Sequence, residues 1–160
     1  MRHGPAEDHA PSGLDADRAL SPSGRERVRS VSRALAALDE APLWILTSPL
    51  VRALQTAEIV AAATKLVDRS GSVETRRELA PGGNGPELVK ALVHEKRKRC
   101  MLVGHEPDLS ALIAAVVGEP LPVAMDKAMV VGLSAKADAA ALRFVLDPKS
   151  LGLSIDLRGA

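Results

Sequence analysis

Apolar positions along the chain follow two periods. Val28, Val31, Leu35 and Leu38 recur three or four residues apart, the spacing of one helical face. Ser21-Pro22 ahead of them reads as an N-cap followed by proline at the first helical position. This predicts a helix of about four or five turns running toward Asp39. Pro42 closes that unit. Residues 43–47 (Leu-Trp-Ile-Leu-Thr) form a short continuous apolar run, the pattern of a buried parallel strand. Ser48-Pro49 starts a second helix, with Leu50, Leu54, Ala57 and Ala61 on one face and Arg52 and Thr56 four apart on another. Residues 73–75 predict a brief strand. Residues 78–85 carry too many breakers to be anything but a loop.

Pro86 opens a third helix with Leu88, Leu92 and Val93 inward, ending in the basic run 96–99. Residues 100–103 predict another buried strand. Pro107 opens a fourth helix with Leu109, Leu112, Ile113 and Val116 inward, stopped by Gly118. Residues 128–133 and 142–146 read as strands with residues 137–140 as the turn between them. No clear periodicity follows Pro148. Residues 5–20 are polar and loop-like, a length that is often functional or mobile. Strands alternating with helices over 160 residues argue for one α/β domain, residues 1–160, with a mainly parallel sheet.

Composition narrows the function classes. Trp44 and Phe144 are the whole aromatic complement, which argues against base-stacking platforms for single-stranded nucleic acid. A net charge of +1 leaves no electrostatic footprint for nucleic acid or an anionic membrane. Cys100 is the single cysteine, so no intramolecular disulfide forms and a reducing cytoplasm is the expected compartment. The polar N-terminus lacks the apolar core of a secretory signal, and the apolar stretch near residues 109–117 is too short to span a bilayer. The basic run reads as cations at a helix C-terminus rather than a docking patch for an acidic partner.

Candidate chemistry gathers at strand-to-helix junctions, where ligands of α/β sheets bind. Arg52 follows the strand at 43–47, and His105 follows the strand at 101–103. Arg2-His3-Gly4 sits at the chain start. Helices beginning near Pro49 and Pro107 aim free N–H groups at the same region, an anion site. Arginine suits phosphate because its planar fork donates two parallel hydrogen bonds and stays charged. A histidine nucleophile attacks phosphorus through a neutral ring nitrogen, its other nitrogen held by an acceptor. The loose anionic transition state then needs positive charge, for which Arg2, Arg52 and a protonated His105 are the candidates. The chemistry requires no metal, and the sequence shows no metal-ligand cluster. His9 and His94 read as ordinary surface residues.

These segments resemble the histidine phosphatase (phosphoglycerate-mutase-like) superfamily, and within it the short SixA-type phosphohistidine phosphatases. The matching stretches are Arg2-His3-Gly4, Asp17-Arg18-Ala19-Leu20-Ser21-Pro22-Ser23-Gly24, Ser48-Pro49-Leu50-Val51-Arg52, Glu78-Leu79-Ala80-Pro81-Gly82-Gly83 and Val103-Gly104-His105-Glu106-Pro107. The resemblance implies a three-layer α/β/α fold with a mostly parallel central sheet. It implies that His3 is the phospho-accepting nucleophile and that Arg2, Arg52 and His105 form the phosphate pocket, with Ser48 near it. Glu78 is the best carboxylate for a proton donor, a structural role at the loop start being the alternative. The insertion that covers the site in larger members has no room here. An alkoxide leaving group needs a general acid, whereas an imidazole is easily protonated, so an open site with a weak acid favours phosphohistidine on a partner protein. A small phosphate ester is the rival substrate, and a non-catalytic phosphate-binding domain the rival function. One departure stands out. The family's Arg-His-Gly follows a central apolar strand, but here Met1 directly precedes Arg2. That first strand is expected to be missing, with His3 on a frayed end unless an upstream piece or some compensation holds it.

Overall fold

The computed structural model describes residues 1–136 and 139–154. Four α-helices flank two three-stranded sheets. Helix α1 is Pro22–Ala37, α2 Val51–Ala63, α3 Gly85–His94 and α4 Asp108–Val117. Strands β1 (Trp44–Thr47), β2 (Ser72–Thr75) and β3 (Cys100–Val103) form a parallel sheet in the order β2-β1-β3. Strands β4 (Val130–Lys136), β5 (Ala139–Leu146) and β6 (Leu153–Ser154) form an antiparallel one in the order β4-β5-β6. Residues 139–140 belong to β5 rather than to a turn, because they pair with Lys136 and Ala135. Residues 137–138 of the expected turn lie outside the described residues.

Strand alternation divides the core into two layers. Ile45, Met101, Val103, Val130, Phe144 and Leu146 pack with Val28, Val31 and Leu35 of α1 and Ala53, Ala57 and Val60 of α2. On the other face, Leu46 meets Leu88 and Leu92 of α3, with Trp44 and Leu102 against them. Val145 meets Leu109, Leu112 and Ile113 of α4. The period of two along each strand therefore places helices on both faces, giving the expected three layers.

The start of α1 follows its sequence signals: the Ser21 Oγ accepts from the Gly24 N–H at 3.1 Å, and Pro22 stands in the first turn. Asn84 caps α3 in the same way through the Glu87 N–H. Helix α3 ends at His94, short of the basic run, with Lys96 and Arg99 at positive φ. Arg97 pairs with Glu74 and Glu95 and lies over the Trp44 ring, and Arg99 pairs with Asp39. Two of the run's four cations thus serve this chain's own acidic groups.

No strand precedes β1 in the element order, yet the chain start does not fray. Met1 and His3 are 6% and 7% exposed. The Met1 amine donates to the Leu102 carbonyl at 2.8 Å, Gly104 N–H to the Met1 carbonyl at 3.2 Å, and His3 N–H to the Gly104 carbonyl at 3.0 Å. On the other side Arg2 N–H donates to the Met129 carbonyl and Ala128 N–H to the His3 carbonyl, each at 3.1 Å. Three residues thus bridge the end of β3 to the entrance of β4. The compensation the sequence called for is this short two-sided pairing, and it links the parallel and antiparallel sheets at the site.

Candidate active site

His3 emerges where that bridge ends. Its Nδ1 lies 2.7 Å from the Gly4 carbonyl oxygen. A carbonyl only accepts, so Nδ1 carries the proton and Nε2 keeps a free lone pair. Burial pulls the His3 pKa down to about 3; His105, Arg52 and Arg2 act in the same direction, and the Gly4 hydrogen bond opposes them. The imidazole is therefore neutral at any ordinary pH and keeps the tautomer a nucleophile needs.

The Gly4 peptide is itself fixed. Its N–H donates to Thr56 Oγ1 at 3.1 Å, and that hydroxyl donates to the Arg52 carbonyl at 2.7 Å. Thr56 is fully buried. One hydroxyl thus ties the nucleophile's loop to the helix that carries Arg52. The sequence placed Thr56 on the Arg52 face of α2 through their spacing of four. It held no sign that Gly4 was the partner, because that contact joins residues 52 positions apart.

His105 follows β3, its ring centroid 5.0 Å from that of His3 and tilted by 52°. Its Nε2 lies 2.8 Å from the buried Ser48 Oγ. Ser48 Oγ also accepts from the Leu50 N–H at 3.3 Å. The other ring nitrogen of His105, Nδ1, is a buried atom with no partner. Burial, with Arg52 adding to it, lowers the His105 pKa to about 4. Low polarity and the adjacent arginine thus keep His105 neutral in this structure. A bound phosphoryl dianion would favour its charged form again.

Arg52 is buried on the first turn of α2. Its Nη1 donates to the Asp15 carbonyl at 2.8 Å and its Nη2 to Asp15 Oδ2 at 3.0 Å. Asp15 comes from a short 3-10 turn (Asp15–Asp17) in the N-terminal loop and was not a sequence candidate. Arg2 donates from Nη1 to the Met125 carbonyl at 2.6 Å, while its buried Nε has no partner. Of the three buried side-chain nitrogens without partners among the described residues, Arg2 Nε and His105 Nδ1 belong to candidate site residues and Arg69 Nε does not. Orphaned buried donors are costly, and an anion could accept from Arg2 Nε and from the Nδ1–H of a charged His105.

The structure brings Arg2, Arg52 and His105 around His3 and sets Ser48 against His105. Glu78 lies in the 3-10 turn Arg77–Leu79 and pairs with Arg76 at 2.8 Å. Arg76 holds its carboxyl below the usual range, which suits it poorly to giving up a proton. A Cβ on Gly83 would lie 2.5 Å from the Glu78 carbonyl oxygen, so the loop turns tightly against its backbone. Among the described residues no group of three or more His, Cys, Asp or Glu side chains is arranged to hold a metal ion. No helix among them is long and apolar enough to cross a membrane.

Comparison with known proteins bears on this arrangement. The sequence profile of the histidine phosphatase superfamily (branch 1) matches residues 1–80. A protein of Picosynechococcus sp., described as uncharacterized, is 37% identical over 119 residues, 72% of this chain and 70% of its own length. Among solved structures, the protein histidine phosphatase SixA complexed with tungstate superposes with a TM-score of 0.85 at 24% identity, covering 95% of this chain and 97% of that one. A mycobacterial glucosyl-3-phosphoglycerate phosphatase in complex with VO3 superposes with a TM-score of 0.67 at 21% identity, covering 88% and 94%. At these identities the structural likenesses are likenesses of fold.

Proposed function

The chain belongs to the histidine phosphatase superfamily, and from that footing we propose that it hydrolyses phosphoryl groups through a covalent intermediate on His3. Phosphohistidine in a partner protein is the substrate this reading favours. The observation that carries it is the His3 tautomer: Nδ1 held by the Gly4 carbonyl, Nε2 free, and burial keeping the ring neutral.

The reaction divides into two displacements. His3 Nε2 attacks phosphorus, a P–N bond forms, and the bond from phosphorus to the leaving nitrogen or oxygen breaks. The leaving group departs with the electron pair and takes up a proton. Water then attacks the phosphorus of phospho-His3, and inorganic phosphate leaves with His3 restored. Arg2, Arg52 and the His105 Nδ1–H donate to the equatorial oxygens as charge spreads over them. Ser48 orients His105 for that task.

The leaving group separates the two substrate classes. A sugar or glycerate alkoxide must be protonated as it departs. Glu78, the carboxylate expected to do this, is held ionised by Arg76. An imidazole protonated from solvent on its other ring nitrogen leaves as a neutral weak base and makes no such demand on a protein acid. The alternative substrate is a small phosphate ester, a reading favoured by the fold shared with the mycobacterial glucosyl-3-phosphoglycerate phosphatase. The test is a comparison of kcat/KM on a phosphohistidine-bearing protein domain and on a panel of sugar and glycerate phosphates. The proposal predicts that the phosphohistidine substrate is preferred by at least about a hundredfold, the size of one general-acid contribution. Faster turnover of the esters would overturn it.

A further inference from the structure

Asp15 reaches Arg52 from the solvent side. Its side chain is 62% exposed, while that of Arg52 is 7% exposed. Its two carboxylate oxygens go to two different arginines, Oδ2 to Arg52 Nη2 at 3.0 Å and Oδ1 to Arg18 Nη1 at 2.8 Å. Arg18 is anchored in turn by donating from Nε to the Glu7 carbonyl at 2.7 Å. The loop is further pinned by Glu7 N–H to the Ala19 carbonyl and by Ser12 Oγ to Asp17 Oδ2. Asp15 is therefore a placed carboxylate. It also lines a shallow cavity of about 160 Å³ shared with Asp8, His9 and Arg18.

His3 is buried, and in-line displacement puts the leaving group opposite the attacking nitrogen. A leaving group directed at solvent passes the exposed carboxylate that is bonded to Arg52. We infer that Asp15 sets the charge preference of the site, turning away substrates with a second anion beside the phosphoryl group and admitting those that leave as a nitrogen heterocycle. This inference rests on the phosphatase reading above and assigns its selectivity to one residue. Two effects act together. The carboxylate repels a neighbouring substrate carboxylate, and it pairs with Arg18, a cation that would otherwise attract one. Each Arg52 Nη retains a second N–H for the phosphoryl oxygens. Shared between Arg18 and Arg52, the Asp15 carboxyl is held below the usual carboxylate range, so it is a fixed charge and not the missing acid.

The test compares phosphoimidazole with 3-phosphoglycerate, a phosphate ester with an adjacent carboxylate. It uses the full chain and its Asp15→Asn and Asp15→Glu variants. Asp15→Asn is expected to raise kcat/KM for 3-phosphoglycerate relative to phosphoimidazole by at least about tenfold. Most of the change should lie in KM, and it should shrink as salt is raised because the carboxylate is exposed. Asp15→Glu, which keeps the charge, is expected to retain the parent preference. An unchanged ratio in Asp15→Asn overturns the inference while leaving the phosphatase reading intact. If the parent turns over neither these compounds nor a phosphohistidine-bearing protein domain, the phosphatase reading fails instead. Asp15 is then judged by binding. Affinity for 3-phosphoglycerate relative to inorganic phosphate, measured in His3→Ala with and without Asp15→Asn, must rise with the charge removed or the inference falls.

Discussion

The Thr56 hydroxyl makes two hydrogen bonds, and the account assigns them separate consequences. The bond from Gly4 N–H holds the residue whose carbonyl fixes the His3 tautomer; the bond to the Arg52 carbonyl holds that residue in register with the first turn of α2. Thr56→Val keeps the shape and removes both. A buried N–H left unpaired costs about 1–3 kcal/mol, so the denaturation midpoint should fall. Misplacing a reacting group by a fraction of an ångström costs up to about a hundredfold in rate. Phosphoenzyme formation is therefore expected to slow by about 10- to 100-fold in Thr56→Val, with affinity for inorganic phosphate changed little. Thr56→Ser should recover most of the rate. A Thr56→Val enzyme with parental kinetics and a lowered midpoint would reduce Thr56 to a core residue. At this scale the sequence was legible wherever a residue's neighbours in the chain carry its meaning. Arg52 and His105 are examples, each following an apolar strand and opening a helix. Asp15 was not legible. It is an acidic residue in a polar loop, and its contact with Arg52 spans 37 positions.

Among the elements, α1 shows how close the scaffold comes to the nucleophile. A Cβ on Gly24 would lie 1.9 Å from the Pro5 carbonyl oxygen, so the first turn of α1 packs on the backbone just after the Arg-His-Gly segment. Alanine in place of glycine favours a helix by about 1 kcal/mol. Here the clash is with backbone, which cannot swing away, and overpacking of that kind costs about 1–3 kcal/mol or more. The second effect wins. Gly24→Ala is expected to lower stability and activity together, whereas Ser23→Ala, one position away and exposed, should move neither by much. A more stable Gly24→Ala protein would contradict the packing. Helices α1, α3 and α4 and strands β1 to β3 were readable because their apolar spacing and caps agree. The end of α3 was misread because the basic run looks like a helix terminus. In the structure Arg97 instead turns back to Glu74 and the Trp44 ring, contacts with no local sequence signature.

For the whole molecule, the decisive feature is the bridge of residues 1–3 between two sheets. The sequence showed Arg2-His3-Gly4 without a preceding strand and pointed to an upstream piece or a compensation that keeps His3 from fraying. The fold instead buries Met1 and His3 and pairs them on both sides, to Leu102 and Gly104 and to residues 128–129. Such pairing is invisible in a single sequence because it depends on β4 arriving from more than a hundred residues away. It brings one constellation together: His3 with a free Nε2, His105 with an unpartnered Nδ1, and two arginines. The measurement that tests this most directly is a rapid-quench reaction with a labelled phosphoramidate, stopped under alkaline denaturing conditions that preserve phosphohistidine, followed by mapping of the label. The account predicts a label on His3, bonded through Nε2, that forms and decays at least as fast as turnover and is absent from His3→Ala. Turnover without a labelled His3, or a label carried by His105 instead, would contradict it.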